Sequence, residues 1–231
     1  IYGNGGNNDM HSGHRQRMRD RIAKNGLDSL TDHELLEYLL FYIQPRVNTN
    51  EPAHRLIDTY GSFSAVLDTD EKSLSEIEGI GPKSAQFLSL LPEIARRYLN
   101  DKYTPKTVFD STFALRTYIQ QMYLGIKDEA AAIVLLDGQY ALISSKIVAR
   151  GNVREIYIDQ RDILLEVMQK RAPYVVLSHN HPSNSCKPSV EDIVMTNRFA
   201  TALNVVGSTL IEHLIICPNG TYYSFARDQR L

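Results

Sequence analysis

Cysteine is scarce in this sequence, and long hydrophobic runs and a large net charge are missing. The 231 residues hold two cysteines, Cys186 and Cys217. Two cannot make the disulfide framework of a small secreted domain, which points to a reducing cytoplasm. No run of about 18 apolar residues exists, so no membrane span is expected. The opening "IYGNGGNNDMHSGHRQRM" lacks a signal-peptide core, and its Gly/Asn-rich start reads as a flexible tail. The net charge is -2. The protein is therefore no polycation, and any nucleic-acid contact has to be local. Internal repeats are absent too. What is present is globular: 43% hydrophobic and 23% charged residues, in a chain long enough for one or two cores.

The chain changes its periodicity about midway. From Ser12 to Leu99 the spacing predicts helices. In "SLTDHELLEYLLFYI", Thr31 and Glu34 have capping-box spacing, and Leu30 and Leu35 suit a hydrophobic staple. Leu35, Leu36, Leu39 and Leu40 follow at helical intervals. "EPAHRLIDTYGS" predicts a helix that stops near Gly61. "SLSEIEGIGPKSAQFLSLL" predicts a short helix, a glycine turn and a helix with Pro82 in its first turn. Pro92 is expected to kink that helix or to begin a new one.

The polar stretch "NDKYTPKTV", 100–108, is the expected linker. Beyond it, "AAAIVLLDGQYALISSKIVARG" predicts two strands around an Asp137-Gly138 turn. "QRDILLEVMQKR" is helical, "YVVLS" a short buried strand, and "SVEDIVMTNRFATALNVVG" a helix. "STLIEHLIICPNGTYYSF" gives strands around a Pro218-Asn219-Gly220 turn. The fold class expected is an all-helical domain over 12–99 followed by a mixed α/β domain over 109–231.

The most informative stretch is "LSHNHPSNSCKPSVED". In an extended segment, side chains two residues apart share a face. His179 and His181 follow an apolar strand, so both rings can aim at one point. Asp192 arrives on the first turn of the next helix. Two imidazoles and a carboxylate leave a fourth position for water, the open arrangement of a catalytic zinc site. A plainer reading stands beside it. Ser189 and Asp192 have capping-box spacing, and Asp192 suits the positive end of a helix without any metal. Both readings of these two residues can hold together. Cys186, between the ligands, is read as packing, with a soft zinc ligand as the alternative. His213, alone on the strand "IEHLII", is read as structural.

H-x-H-P followed by S-x-x-D resembles the signature of the JAMM (MPN+) metalloproteases, here His179, His181, Pro182, Ser189 and Asp192. The order of elements from about Arg15 to Phe225 is similar to that of the bacterial RadC family, in which a helical region with a "GIGP" hairpin precedes a JAMM-like, cytidine deaminase-like domain. The resemblance implies that His179, His181 and Asp192 bind zinc. It implies that Ser189 donates a hydrogen bond to the developing oxyanion or to the water on the metal. It also implies a peptide or isopeptide substrate and an association with DNA. JAMM enzymes carry a glutamate on the first hairpin as general base. The matching stretch, "LISSKIVARG", offers Ser144, Ser145 and Lys146 instead. Glu155 in "VREIYI" is the nearest downstream acid and serves only if its loop folds back over the zinc.

In the first half, "IEGIGPKSA" resembles the hairpin of helix-hairpin-helix domains. Gly79 and Gly81 allow tight turns and close backbone approach. The amides that open the following helix can hold a phosphate, with Lys83 as a charge beside them. Such contacts to DNA backbone carry no sequence preference. Two glycines and a proline also make an ordinary helix–helix turn. Arg15, Arg17, Arg19, Arg21 and Lys24 spread around one helix, either solvated or enlarging a basic patch. Two functions are therefore expected: a zinc-dependent hydrolase recruited to DNA, or a non-catalytic DNA-associated or protein-binding module that keeps its metal.

Overall fold

The computed structural model describes residues 8–103, 106–151, 160–183 and 185–231, with backbone alone before residue 13. Two compact units divide at Pro92 and Glu93.

The first unit is helical: α1 (Asn8–Asn25), α2 (Asp32–Ile43), α3 (Asn50–Tyr60), α4 (Phe63–Asp68), α5 (Glu71–Ser75) and the start of α6 (Pro82–Lys102). The starts follow local capping chemistry. Glu34 accepts the Thr31 amide at 2.9 Å, as the capping-box spacing predicts. Ser62 accepts the Ala65 amide and Asp70 the Ser73 amide, which open α4 and α5. Gly61, at φ +87°, closes α3 in the left-handed region. Leu36, Leu40, Ala53, Leu56, Val66, Leu74, Ala85 and Leu88 form a core with no exposure. Each buried leucine there contributes about 2 kcal/mol.

The α5–α6 turn has internal anchors. Gln44 Nε2 donates to Gly79 O and to Ser84 Oγ, both at 2.9 Å. Arg55 donates to Glu78 O at 3.2 Å and pairs with the Glu78 carboxylate. Gly79 has φ +88°, and a Cβ there would lie 2.6 Å from Pro52 Cγ. Two of the α1 arginines are used internally. Arg15 donates to the carbonyls of Gln44 and Val47, and Arg21 pairs with Glu34 at 2.6 Å. Arg17, Arg19 and Lys24 are exposed.

The second unit begins within α6 and adds α7 (Thr112–Gln121), β1 (Glu129–Leu136), β2 (Leu142–Gly151), α8 (Gln160–Lys170), β3 (Tyr174–Asn180), α9 (Val190–Val205), β4 (Thr209–Ile216) and β5 (Tyr222–Ser224). The sheet order is β2-β1-β3-β4-β5, with β3 and β4 parallel and the other neighbours antiparallel. Central β1 and β3 are apolar on both faces, as strands covered on both sides must be. Ala132, Val134 and Leu136 pack toward Leu115, Tyr118 and Ile119 of α7. Ile133 and Leu135 pack toward Ile163 and Val167 of α8 and Phe199 and Leu203 of α9. At the β1–β2 turn, Asp137 Oδ1 accepts the amides of Gln139 and Ala141.

Three details depart from the sequence reading. The helix α6 runs through Pro92 to Lys102 as one element, so of the two expectations for Pro92 a new helix is ruled out. Pro92 is buried, and tertiary packing outweighs its missing hydrogen bond. The stretch 100–108 is not a free linker. Its first residues finish α6, Tyr103 packs on the α7-side core, and Lys106, Thr107 and Phe109 pair with the 140–142 backbone. The helix α7, opened by Ser111 accepting the Ala114 amide, was not expected. No described helix is long and apolar enough to cross a membrane.

Candidate metal centre

The site forms where β3 ends beside the start of α9. Ala131 pairs with His179 across β1 and β3, two residues from the Ile133–Leu177 pair of the α8/α9-side core. By strand alternation His179 faces the same side. The His181 amide donates to Ile216 O at 2.8 Å, which carries the β3–β4 alignment one residue past the strand. His181 therefore returns to the face of His179. The N-cap Ser189 starts α9 and places Asp192 on its first turn.

These placements converge. His179 Nε2 lies 3.0 Å from His181 Nε2 and 3.2 Å from Asp192 Oδ1. His181 Nε2 lies 3.7 Å from Asp192 Oδ2. Among the described residues this is the one group of three such side chains whose ligand atoms all lie within 4.8 Å of one another. His179 is buried, while His181 and Asp192 are partly open, at 16% and 17% side-chain exposure, so the cluster reaches solvent on one side.

The donor set fits a divalent cation. Each ring has its other nitrogen engaged elsewhere, as metal-binding imidazoles require. His181 Nδ1 is 2.8 Å from Ser185 O. A carbonyl only accepts, so His181 carries its hydrogen on Nδ1 and offers the Nε2 lone pair to the cluster. His179 Nδ1 is 2.9 Å from His213 Nε2. Burial alone would raise the Asp192 carboxyl. The His179 ring and the Ser189 hydroxyl and amide outweigh it and hold Asp192 well below the ordinary carboxylate range.

Ser189 serves the cap. Its hydroxyl donates to Asp192 Oδ2 at 2.6 Å and accepts the Asp192 amide at 3.0 Å, while the Ser189 amide donates back to Oδ2 at 2.7 Å. The capping-box reading of Ser189 and Asp192 holds, and it leaves Asp192 Oδ1 beside His179. The first-hairpin candidates separate by face. Ser145 pairs with Val134 and hydrogen-bonds Tyr118 of α7. Lys146 pairs with Ile133, faces the side of His179, and forms an ion pair with Glu166 of α8. Glu155 lies outside the described residues.

Cys186 is neither free packing nor a soft ligand. It is disulfide-bonded to Cys217, at a Cα separation of 5.9 Å. The scarcity of cysteine hid this, because the loop after His181 folds back over the end of β4. Two residues outside the expected site stand beside it: His213, read as structural, and Thr196, which the sequence did not single out. His213 is fully buried and touches His179, and Thr196 Oγ1 lies 2.7 Å from His213 Nδ1. The signal was faint: a histidine on the strand next to His179, and a threonine four residues after Asp192 on one helix. Burial pushes the His213 imidazole well below its ordinary pKa, and the neighbouring His179 adds to the shift. In the helical unit, Gly79, Gly81 and Lys83 stand together at the start of α6, apart from this cluster in sequence and in unit.

A mixed sheet whose strand end and following helix bring two imidazoles and a carboxylate together is the arrangement of a JAMM-type domain. The chain belongs to the RadC-like JAB domain family, whose model matches residues 109–231. The model of the UPF0758 N-terminal region matches residues 10–86. A UPF0758 protein of Ruegeria pomeroyi is 34% identical over 88% of this chain and 91% of its own length. Another, from Fusobacterium nucleatum, is 31% identical over 94% and 96% respectively. One from a Polaromonas species is 32% identical over 87% and 89%.

Proposed function

We propose that the second unit binds zinc through His179, His181 and Asp192 and acts as a metallopeptidase-type hydrolase on an amide bond of a peptide or isopeptide. The ligand spacing carries this reading. Four ligands at roughly 2.0–2.1 Å in a tetrahedron stand about 3.3 Å apart. His179 Nε2 stands close to that value from both His181 Nε2, at 3.0 Å, and Asp192 Oδ1, at 3.2 Å, while His181 Nε2 is 3.7 Å from the other carboxylate oxygen, Oδ2. Zinc held by these three residues would supply Lewis acidity to polarise an amide carbonyl and to activate a water. The protein's own part is to present two bare Nε2 atoms, to keep Asp192 ionised, and to hold Asp192 in place through Ser189.

Proton transfer is the weak link. A general base or acid contributes about 10²–10⁴-fold. The hairpin stretch 144–146 has no carboxylate, and Lys146 on the site's face is ion-paired. Turnover by the wild type is therefore slow. The same observation favours a second reading, a domain that keeps the metal and binds a protein partner without cleaving it. In both readings the helical unit associates with DNA backbone at the start of α6. Exposed Lys83 and the open surface beside Gly81, where an added Cβ meets nothing within 4 Å, support this contact.

The deciding experiment measures zinc content and amide cleavage together. Zinc uptake with slow, chelator-sensitive cleavage supports the hydrolase. Zinc uptake with no cleavage supports the binding module. No zinc uptake removes both.

A further inference from the structure

A row of three hydrogen bonds runs from the Asp192 backbone to His179, whose free Nε2 faces the Asp192 carboxylate. Thr196 Oγ1 lies 2.6 Å from the Asp192 backbone O and 2.7 Å from His213 Nδ1. His213 Nε2 lies 2.9 Å from His179 Nδ1. His179 Nε2 lies 3.2 Å from Asp192 Oδ1. The row thus starts at the Asp192 backbone, and its last nitrogen faces the Asp192 carboxylate. Its middle is dry: His213 and Thr196 have no exposure, and the Phe225 ring stacks on His213 at 4.5 Å.

The direction of every proton follows from the first contact. A backbone carbonyl only accepts, so Thr196 spends its one hydroxyl hydrogen on Asp192 O. The Thr196 oxygen then accepts from His213 Nδ1–H. A neutral ring with its hydrogen on Nδ1 has a bare Nε2. His213 therefore accepts from His179 Nδ1–H. The nitrogen left for the cluster is His179 Nε2. The opposite direction turns the Thr196 hydrogen toward His213 and leaves two oxygen lone pairs facing each other at 2.6 Å.

We propose that Thr196 and His213 are positioning residues that keep the hydrogen of His179 on Nδ1 and so tune the affinity of the site for its metal. Carboxylates, carbonyls or water usually hold the outer nitrogen of a metal-binding histidine. Here a second histidine does so, and a threonine bonded to the backbone of α9 sets that histidine's tautomer. The strand that carries His179 and the helix that carries Asp192 are thereby held in one register. The tautomer assignment stands on the metal-free geometry; the affinity rests on the zinc reading above.

The test uses the full chain. Thr196→Val keeps shape and removes the acceptor, while Thr196→Ser keeps it. His213→Gln can accept from His179 and donate to Thr196, and His213→Leu can do neither. Imidazole nitrogen NMR on the metal-free wild type should find the His213 hydrogen on Nδ1, and Thr196→Val should shift it toward Nε2. Competition with a chromogenic chelator should show zinc held about 10–100-fold more weakly by Thr196→Val and His213→Leu. Thr196→Ser and His213→Gln should stay closer to the wild type. Wild-type His213 protonated on Nε2 overturns the proposal. So does a Thr196→Val protein with lowered thermal stability and unchanged zinc affinity, since that marks a structural role alone. If the wild type takes up no zinc, the hydrolase reading fails, and the NMR measurement still decides the relay.

Discussion

Lys146 of β2 and Glu166 of α8 form an ion pair on the sheet face that carries His179. The family to which the sequence bears its resemblance expects an acid in this stretch. The lysine puts a cation there instead, and α8 answers it with a carboxylate. Strand alternation turns the neighbouring Ser145 to the opposite face, against Tyr118.

Lys146→Glu should therefore add a proton acceptor on the correct face, and Ser145→Glu should not. Combining Lys146→Glu with Glu166→Gln avoids a repulsive carboxylate pair. The double variant should cleave a model isopeptide about 10²-fold faster than the wild type. Brisk wild-type cleavage, lost on zinc removal and unchanged in the double variant, would show that another acid already fills the role. Glu155→Gln would then be the variant that stops it.

The purified chain should carry about one zinc, by elemental analysis. His179→Ala with His181→Ala should abolish uptake, because Asp192 alone offers too few ligands. Zinc should also raise the melting temperature of the wild type and leave that of the double variant unmoved. Equal zinc in the two proteins would remove the site.

Duplex binding should be independent of sequence and should fall steeply with salt. Lys83→Ala should weaken it by a similar factor on every sequence and make the salt slope shallower by about 1. A fluorescence anisotropy titration at two salt concentrations reads both. No binding at low salt would leave the α5–α6 turn as a structural or protein-contact element.

The two glycines of that turn should respond differently. Gly79→Ala meets a positive φ and the Pro52 ring at 2.6 Å. It should destabilise the protein by about 1–3 kcal/mol, read by denaturant unfolding. Gly81→Ala, with open space around it, should leave stability nearly unchanged.

Glu212 gives the protein a signed pH dependence. Burial raises its carboxyl pKa above the ordinary value, although Ser224 and the amides of Ala226 and His213 pull it partly back. The folded state therefore holds this proton to higher pH than the unfolded state does. Its contribution is fully present below the unfolded pKa and declines as pH rises through the folded pKa. Glu212→Gln should flatten that decline in unfolding free energy as pH rises above about 4. An unchanged slope would show that the carboxyl is not perturbed.

The sequence alone determined what depends on neighbours along the chain. The capping spacings of Thr31–Glu34 and Ser189–Asp192, the β1–β2 turn at Asp137 and the strand–helix order after it are short-range physics, and periodicity carries them. The triad His179, His181 and Asp192 was legible for the same reason: a strand end and a helix start lie 13 residues apart or less. Tertiary structure decided the rest. Thr196, His213 and His179 meet because β3 and β4 are parallel neighbours covered by α9, across 34 residues of sequence in the case of the two histidines. The Cys186–Cys217 bond spans 31 residues and depends on where one loop folds. Lys146 faces the site rather than the α7 side through a register that a bulge opposite Leu135 and Leu136, just after the turn and before Lys146 in β2, shifts by one residue. A single inserted residue reverses which face each later side chain takes, and composition and spacing contain no record of it.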